Sequence, residues 1–214
     1  EDSAYETGMI AGILLNTTMW SALLRQVLLA LVVSAIVGTC GMLIGYACVR
    51  RRGSRLSRIV ESLAFFPYLM PAMAFATIYL AVATSANFKF LYGTFGVLVL
   101  VASIKFLPFA SRSGVNSMMQ IAPEIEEAAV IFGVPWRTRM TRILFPIQKS
   151  SIISGYLLPV ISVMREVALF TLLVPYARYL LTTMLFSFNE TGYAQYGSAV
   201  TLLIILIIIL INFV

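Results

Sequence analysis

The 214-residue sequence has no histidine. That absence removes imidazole as a general base, the Ser–His nucleophile pair and every His-ligated metal site. Cysteine is nearly as scarce. Its two copies, Cys40 and Cys48, lie in one apolar run at a spacing that suggests neither a disulfide nor a metal pair. We read both as small packing residues. Charge is thin as well: Asp, Glu, Lys and Arg make up 11% of the chain, where a soluble domain carries about 25%. Hydrophobic residues make up 60%, so the chain reads as an integral membrane protein. The net charge of +6 could suggest a nucleic-acid partner. However, the basic residues sit beside apolar runs, as topology determinants do, and no nucleic-acid binding is expected. The chain has neither an initiating Met nor a signal peptide and ends inside an apolar run, so we read it as a piece of a longer polypeptide.

What is present is a series of apolar runs near the ~20 residues needed to cross hydrocarbon. They predict an all-α membrane protein, a single transmembrane domain over residues 1–214 with spans at about 20–49, 60–84, 91–111, 148–174 and 193–214. Arg50, Arg51, Arg52, Arg55 and Arg58 follow the first span and mark its cytoplasmic exit, which places the N-terminus outside and the C-terminus inside. Gly38, Gly41 and Gly45 allow close helix crossing, either within this bundle or against another subunit. Pro67 and Pro71 are expected to kink or break the second span. Lys105 and Pro108 are expected to interrupt the third, with Lys105 snorkelling to the cytoplasmic interface. Arg165 and Glu166 fall within the fourth. Charges in a membrane run are costly, so one of the pair is a candidate to line a translocation path; the alternative is that both are solvated near the external interface. Residues 175–192 read as an external segment with a short interfacial helix over about Tyr179–Phe186.

Residues 123–146 form the one long charge-bearing amphipathic stretch. Pro123 suits a first helical turn, and Glu124, Glu126 and Glu127 favour the positive end of the helix dipole. Ile125, Ala128, Ala129 and Phe132 are spaced as one apolar stripe. Gly133 and Pro135 stop the helix. A second short helix is expected from Trp136, with Trp136, Met140 and Ile143 on one face and Arg137, Arg139 and Arg142 off it. Two short helices at an angle, with small residues and a charged rim, make a docking plug.

Glu127-Ala128-Ala129, then Gly133, then Ile143-Leu144-Phe145-Pro146 resembles the EAA loop of ABC-importer permeases, with Phe145 standing where that pattern has Leu. The resemblance implies a MetI-like permease core of five transmembrane helices with a cytoplasmic two-helix coupling loop. It implies a multi-pass protein of the bacterial inner membrane, a transport subunit and not an enzyme. Glu127, Ala128, Ala129, Gly133, Ile143 and Pro146 would form the surface that couples to ATP-binding cassette subunits. ATP-Mg would be bound by those partners, with no cofactor and no metal in this chain. A second permease half, fused or separate, an external substrate-binding protein and membrane lipid complete the implied partners. Met164–Ala168, Leu172–Pro175 and Gly192–Ala199 are similar to the ferric-iron group of permeases, in particular to its C-terminal half, so ferric iron is the expected substrate. Related permeases carry thiamine, phosphonates, sugar phosphates, polyamines or inorganic oxyanions. A gradient-driven secondary transporter is the rival class; it predicts acid relays or an inverted repeat.

Overall fold

The computed structural model describes residues 17–51, 54–85, 87–90, 92–174 and 180–213. Among them regular structure is helical throughout, in the order α1 (Thr17–Arg50), α2 (Arg55–Phe65), α3 (Ala72–Thr84), α4 (Phe95–Met119), α5 (Pro123–Ile131), α6 (Trp136–Ile147), α7 (Lys149–Met164), α8 (Ala168–Leu173), α9 (Leu181–Glu190) and α10 (Ala194–Asn212). Among the described residues α1, α4 and α10 are each long and apolar enough to cross a membrane alone. Two bent pairs, α2 with α3 and α6 with α7, bring the number to five if each crosses once. The described residues divide into two compact units. One holds the chain up to Val33, Met70–Ala102 and the chain from Val160; the other holds Ser34–Leu69 and Ser103–Pro159.

In the first unit, Met19 and Ala22 of α1 pack with Leu181 and Met184 of α9 and Val200 and Ile204 of α10. Gln26 is fully buried there. Its amide nitrogen donates to the Val163 carbonyl at 2.8 Å, and its amide oxygen accepts from the Thr182 hydroxyl at 3.4 Å. That carbonyl lies in the last turn of α7, where helix carbonyls lose their intrahelical partners. The same carbonyl also accepts from the Glu166 N–H at 3.3 Å, so the Gln26 amide supplies its second hydrogen bond.

In the second unit the glycines of α1 set the packing. A Cβ on Gly41 would collide with the Ala110 backbone, and one on Gly45 with the Gly114 backbone of α4. Gly38 lies against the Tyr156 ring, whose backbone carbonyl accepts from Ser34 at 2.6 Å. The small-residue seam is therefore used within this chain.

Proline acts where expected in the second span and not in the third. Pro67 sits in a 3-10 turn, Phe66–Leu69, after α2, and Pro71 caps α3. Helix α4 instead runs unbroken through Lys105 and Pro108 to Met119, well past residue 111. Packed surroundings override the single hydrogen bond that Pro108 removes. The fourth span also departs from expectation: α7 ends at Met164, and the helix resumes only at Ala168. The helix α9 lies a few residues later than the expected helix, and its Leu181, Thr182, Thr183 and Met184 are buried within the protein. Thr183 explains where it starts: its hydroxyl accepts from the Leu180 backbone N–H at 2.9 Å. Residues 175–179 of that segment lie outside the described residues.

Candidate functional site

The loop of residues 123–146 folds as two short helices joined by a tight turn. Pro123 occupies the first turn of α5, and Gly133 takes φ +70°, a left-handed conformation that favours glycine. The Val134 N–H then closes the turn onto the Ala129 carbonyl at 3.0 Å.

Glu126 is the centre of the arrangement. It is 8% exposed and faces the Arg50 end of α1. The Tyr46 hydroxyl donates to its Oε1 at 2.5 Å, and Arg50 Nε donates to its Oε2 at 2.7 Å. Arg139 from α6 brings a second guanidinium, Nε lying 3.6 Å from Oε1, while its Nη1 donates to the Val134 carbonyl at 3.0 Å. One carboxylate thus ties α1, α5 and α6 together. The Trp136 ring meets the Tyr46 ring edge-on, centroids 6.2 Å apart. Beneath them Met140 and Leu144 of α6 are buried with Met42 of α1, Met118 of α4 and Ile121 just after it. Among the described residues no three His, Cys, Asp or Glu side chains come together as a metal site.

The expected coupling residues fall on different sides of this anchor. Glu127, Ala128, Gly133 and Pro146 are exposed, Ile143 is half-buried and Ala129 is buried. Along the expected apolar stripe Ile125, Ala128 and Phe132 are exposed and Ala129 is buried. Ala129 turns inward beside Glu126, while Ile131 and Phe132 are 83% and 85% exposed. In α6 the stretch Arg139–Leu144 winds as a π-helix. The wider turn moves Met140 and Leu144 inward, leaves Trp136 exposed and brings Arg139 to Glu126, off the charged rim where it was expected. Glu126 itself was missed as a site residue. Its i, i+3 relation to Ala129, and the Tyr46–Arg50 i, i+4 pair at a membrane exit, are the signals that could have found it.

Arg165 and Glu166 occupy the break between α7 and α8, not the middle of a helix. Arg165 is exposed, and Glu166 Oε1 accepts from the Leu169 N–H at 3.0 Å. The carboxylate satisfies one of the orphan donors at the start of α8.

Apolar helices, two bent helix pairs and a charged loop pinned to the end of a membrane helix define an all-α, multi-pass inner-membrane protein of the MetI-type permease fold. The chain belongs to the family described as the binding-protein-dependent transport system inner membrane component, whose profile matches residues 38–214. It is 26% identical over 208 residues to the phosphate transport system permease protein PstA 1 of Mycobacterium tuberculosis, an alignment covering 87% of this chain and 66% of that one. It is 22% identical to the ferric transport system permease protein FbpB of Actinobacillus pleuropneumoniae, covering 94% of this chain and 29% of that one. The chain thus spans a little under two thirds of the mycobacterial relative and less than a third of the other. Among solved structures it superposes on a chain of the inward-facing MetNI methionine ABC transporter with a TM-score of 0.70 at 18% identity, covering 93% of this chain and 95% of that one. A bacterial ABC transporter involved in import of the acidic polysaccharide alginate gives 0.66 at 13% identity, covering 94% and 80%.

Proposed function

We propose that this chain is one permease half of an ATP-driven importer, and that α5 and α6 are the element through which partner ATP-binding subunits move it. The observation that carries this reading is the Glu126 clamp. A coupling element must offer its partner a surface and pass displacement inward without absorbing it. Exposed Ile131 and Phe132 supply an apolar contact, with Glu127 and Ala128 beside the clamp on the same helix. On the inner side Glu126, Met140 and Leu144 fasten the loop to α1 and to the end of α4. Packed cores shift between discrete arrangements instead of deforming continuously, so a push on such a loop moves the helices attached to it. ATP-Mg is assigned to the partners, and no cofactor to this chain. A second permease half completes the path, and a binding protein delivers the substrate from outside.

Two inorganic substrates each have specific support. Ferric iron is supported by the Met164–Ala168 and Leu172–Pro175 stretches and by the likeness to FbpB. Phosphate is supported by the likeness to PstA 1. The test is ATP hydrolysis by the full complex in lipid, with binding proteins loaded with ferric ion, phosphate, thiamine, phosphonate or a sugar phosphate. One loaded protein is expected to stimulate hydrolysis and so name the substrate. Glu127→Lys and Phe132→Glu are expected to abolish the stimulation and weaken copurification of the ATPase while the membrane helices still fold. Unchanged stimulation in both variants, or transport without any ATPase, overturns the reading.

A further inference from the structure

A cavity of 630 Å³ opens in the second unit between α2, α4 and α7. Arg112, Asn116 and Ser117 line it from α4, Ser151 and Ser154 from α7, and Phe65 from α2. Its lining contains a guanidinium, hydroxyls and amides, but no carboxylate. Arg112 stacks on the Phe65 ring, its Cζ 4.8 Å from the centroid, and has no ion-pair partner among the described residues. A guanidinium over an aromatic face keeps its charge and its N–H donors. Ser117 is 1% exposed, and its hydroxyl has no hydrogen-bond partner. A buried polar group without a partner is rare unless something else meets it. A neighbouring recess shares Phe65 and Arg112 and adds Arg58 and Glu61, whose charges oppose each other.

We propose that this cavity binds the tetrahedral phosphate group, with Arg112 as its charged anchor and Ser117 and Asn116 as further donors. A guanidinium fork matches two oxyanion oxygens at once, and hydroxyl and amide donors suit the others. A ferric ion needs hard anionic oxygens. Here it would meet a positive charge and Tyr68 as the sole phenol. The inference rests on the importer reading for its role as a substrate subsite, and between the two substrates it selects phosphate.

The test is equilibrium binding of radiolabelled inorganic phosphate to the full complex in nanodiscs, without ATP or binding protein. Phosphatidylcholine discs are compared with discs containing phosphatidylglycerol. Wild type is expected to bind saturably in phosphatidylcholine. Arg112→Gln is expected to weaken binding about tenfold or more, and Arg112→Lys about threefold, since the charge stays and the fork is lost. Ser117→Ala, a milder change, is expected to weaken binding severalfold and guards against misfolding of the Arg112 variants. Phosphate that phosphatidylglycerol does not displace assigns the site to the free ion. Displacement by phosphatidylglycerol that depends on Arg112 assigns it to a lipid headgroup. Binding unaffected by Arg112→Gln and Ser117→Ala, no binding of either ligand, or Arg112-dependent binding of ferric ion overturns the proposal. Because neither ATP nor binding protein is present, loss of ATPase coupling would overturn the importer reading alone.

Discussion

Replacing Glu126 by Ala is the sharpest test of how the loop is held. The carboxylate accepts from Tyr46 at 2.5 Å and from Arg50 at 2.7 Å, and the Arg139 guanidinium lies 3.6 Å away. Hydrogen bonds to a charged group are worth about 1.5–3 kcal/mol each. Removing one member of a buried ion pair costs about 3–5 kcal/mol, because the other is left uncompensated. The side chains of Arg50 and Arg139 keep 15% and 16% exposure, so water recovers part of that cost. The lower end applies, about 3 kcal/mol, or roughly a hundredfold rise in local opening of the loop. Hydrogen–deuterium exchange on the purified membrane protein reads this directly. The amides of Val134, bonded to Ala129, and Gln148, bonded to Leu144, are the reporters, with α10 as the control. Glu126→Gln keeps an acceptor for Tyr46 but loses the charge, so about a tenfold rise is expected. Replacing Glu126, Arg50 and Arg139 together by apolar residues should recover much of the loss. Exchange over residues 134–148 that stays within about threefold of wild type in Glu126→Ala would refute the clamp. Burial of Met140 and Leu144 would then be sufficient to hold the loop.

Other expectations follow from the same contacts. Gly45→Ala forces a methyl against the Gly114 backbone and should cost about 1–3 kcal/mol. Gly96→Ala, whose nearest neighbour is Thr94 Oγ1 at 3.8 Å, should be neutral or stabilising, and thermal unfolding in detergent compares the two. Gln26→Leu leaves the Thr182 hydroxyl without its buried acceptor and the Val163 carbonyl with the Glu166 N–H as its donor, for a loss of about 1–2 kcal/mol in the same assay. Glu166→Gln retains an acceptor for the Leu169 N–H, so stability should hold. Glu166→Leu should lose about 1 kcal/mol, in line with removal of a helix cap. Transport and selectivity that survive Glu166→Gln would show the residue to be a cap and remove it from the path.

Sequence alone determined the class. Thin charge and long apolar runs leave no other home than a bilayer, and the family resemblance read from the spacing of Glu127 to Pro146 agrees with the family match over residues 38–214. Glycine at 133 and proline at 71 were legible too, because each acts through its own backbone. The close helix crossing expected at Gly41 and Gly45 is present too, while other inferences that needed to know a neighbour failed. Pro108 reads as a breaker until packing overrides it, and the fourth span reads as one continuous helix through Arg165 and Glu166 until the helix is seen to stop at Met164. Ile125, Ala128, Ala129 and Phe132 read as one apolar stripe because periodicity fixes which residues share a face. It does not say whether that face turns inward. Only the tertiary structure decided that, by bringing Tyr46 and Arg50 to Glu126 from 80 and 76 residues away. A buried carboxylate must find its cations, and local periodicity does not name cations so distant in the chain.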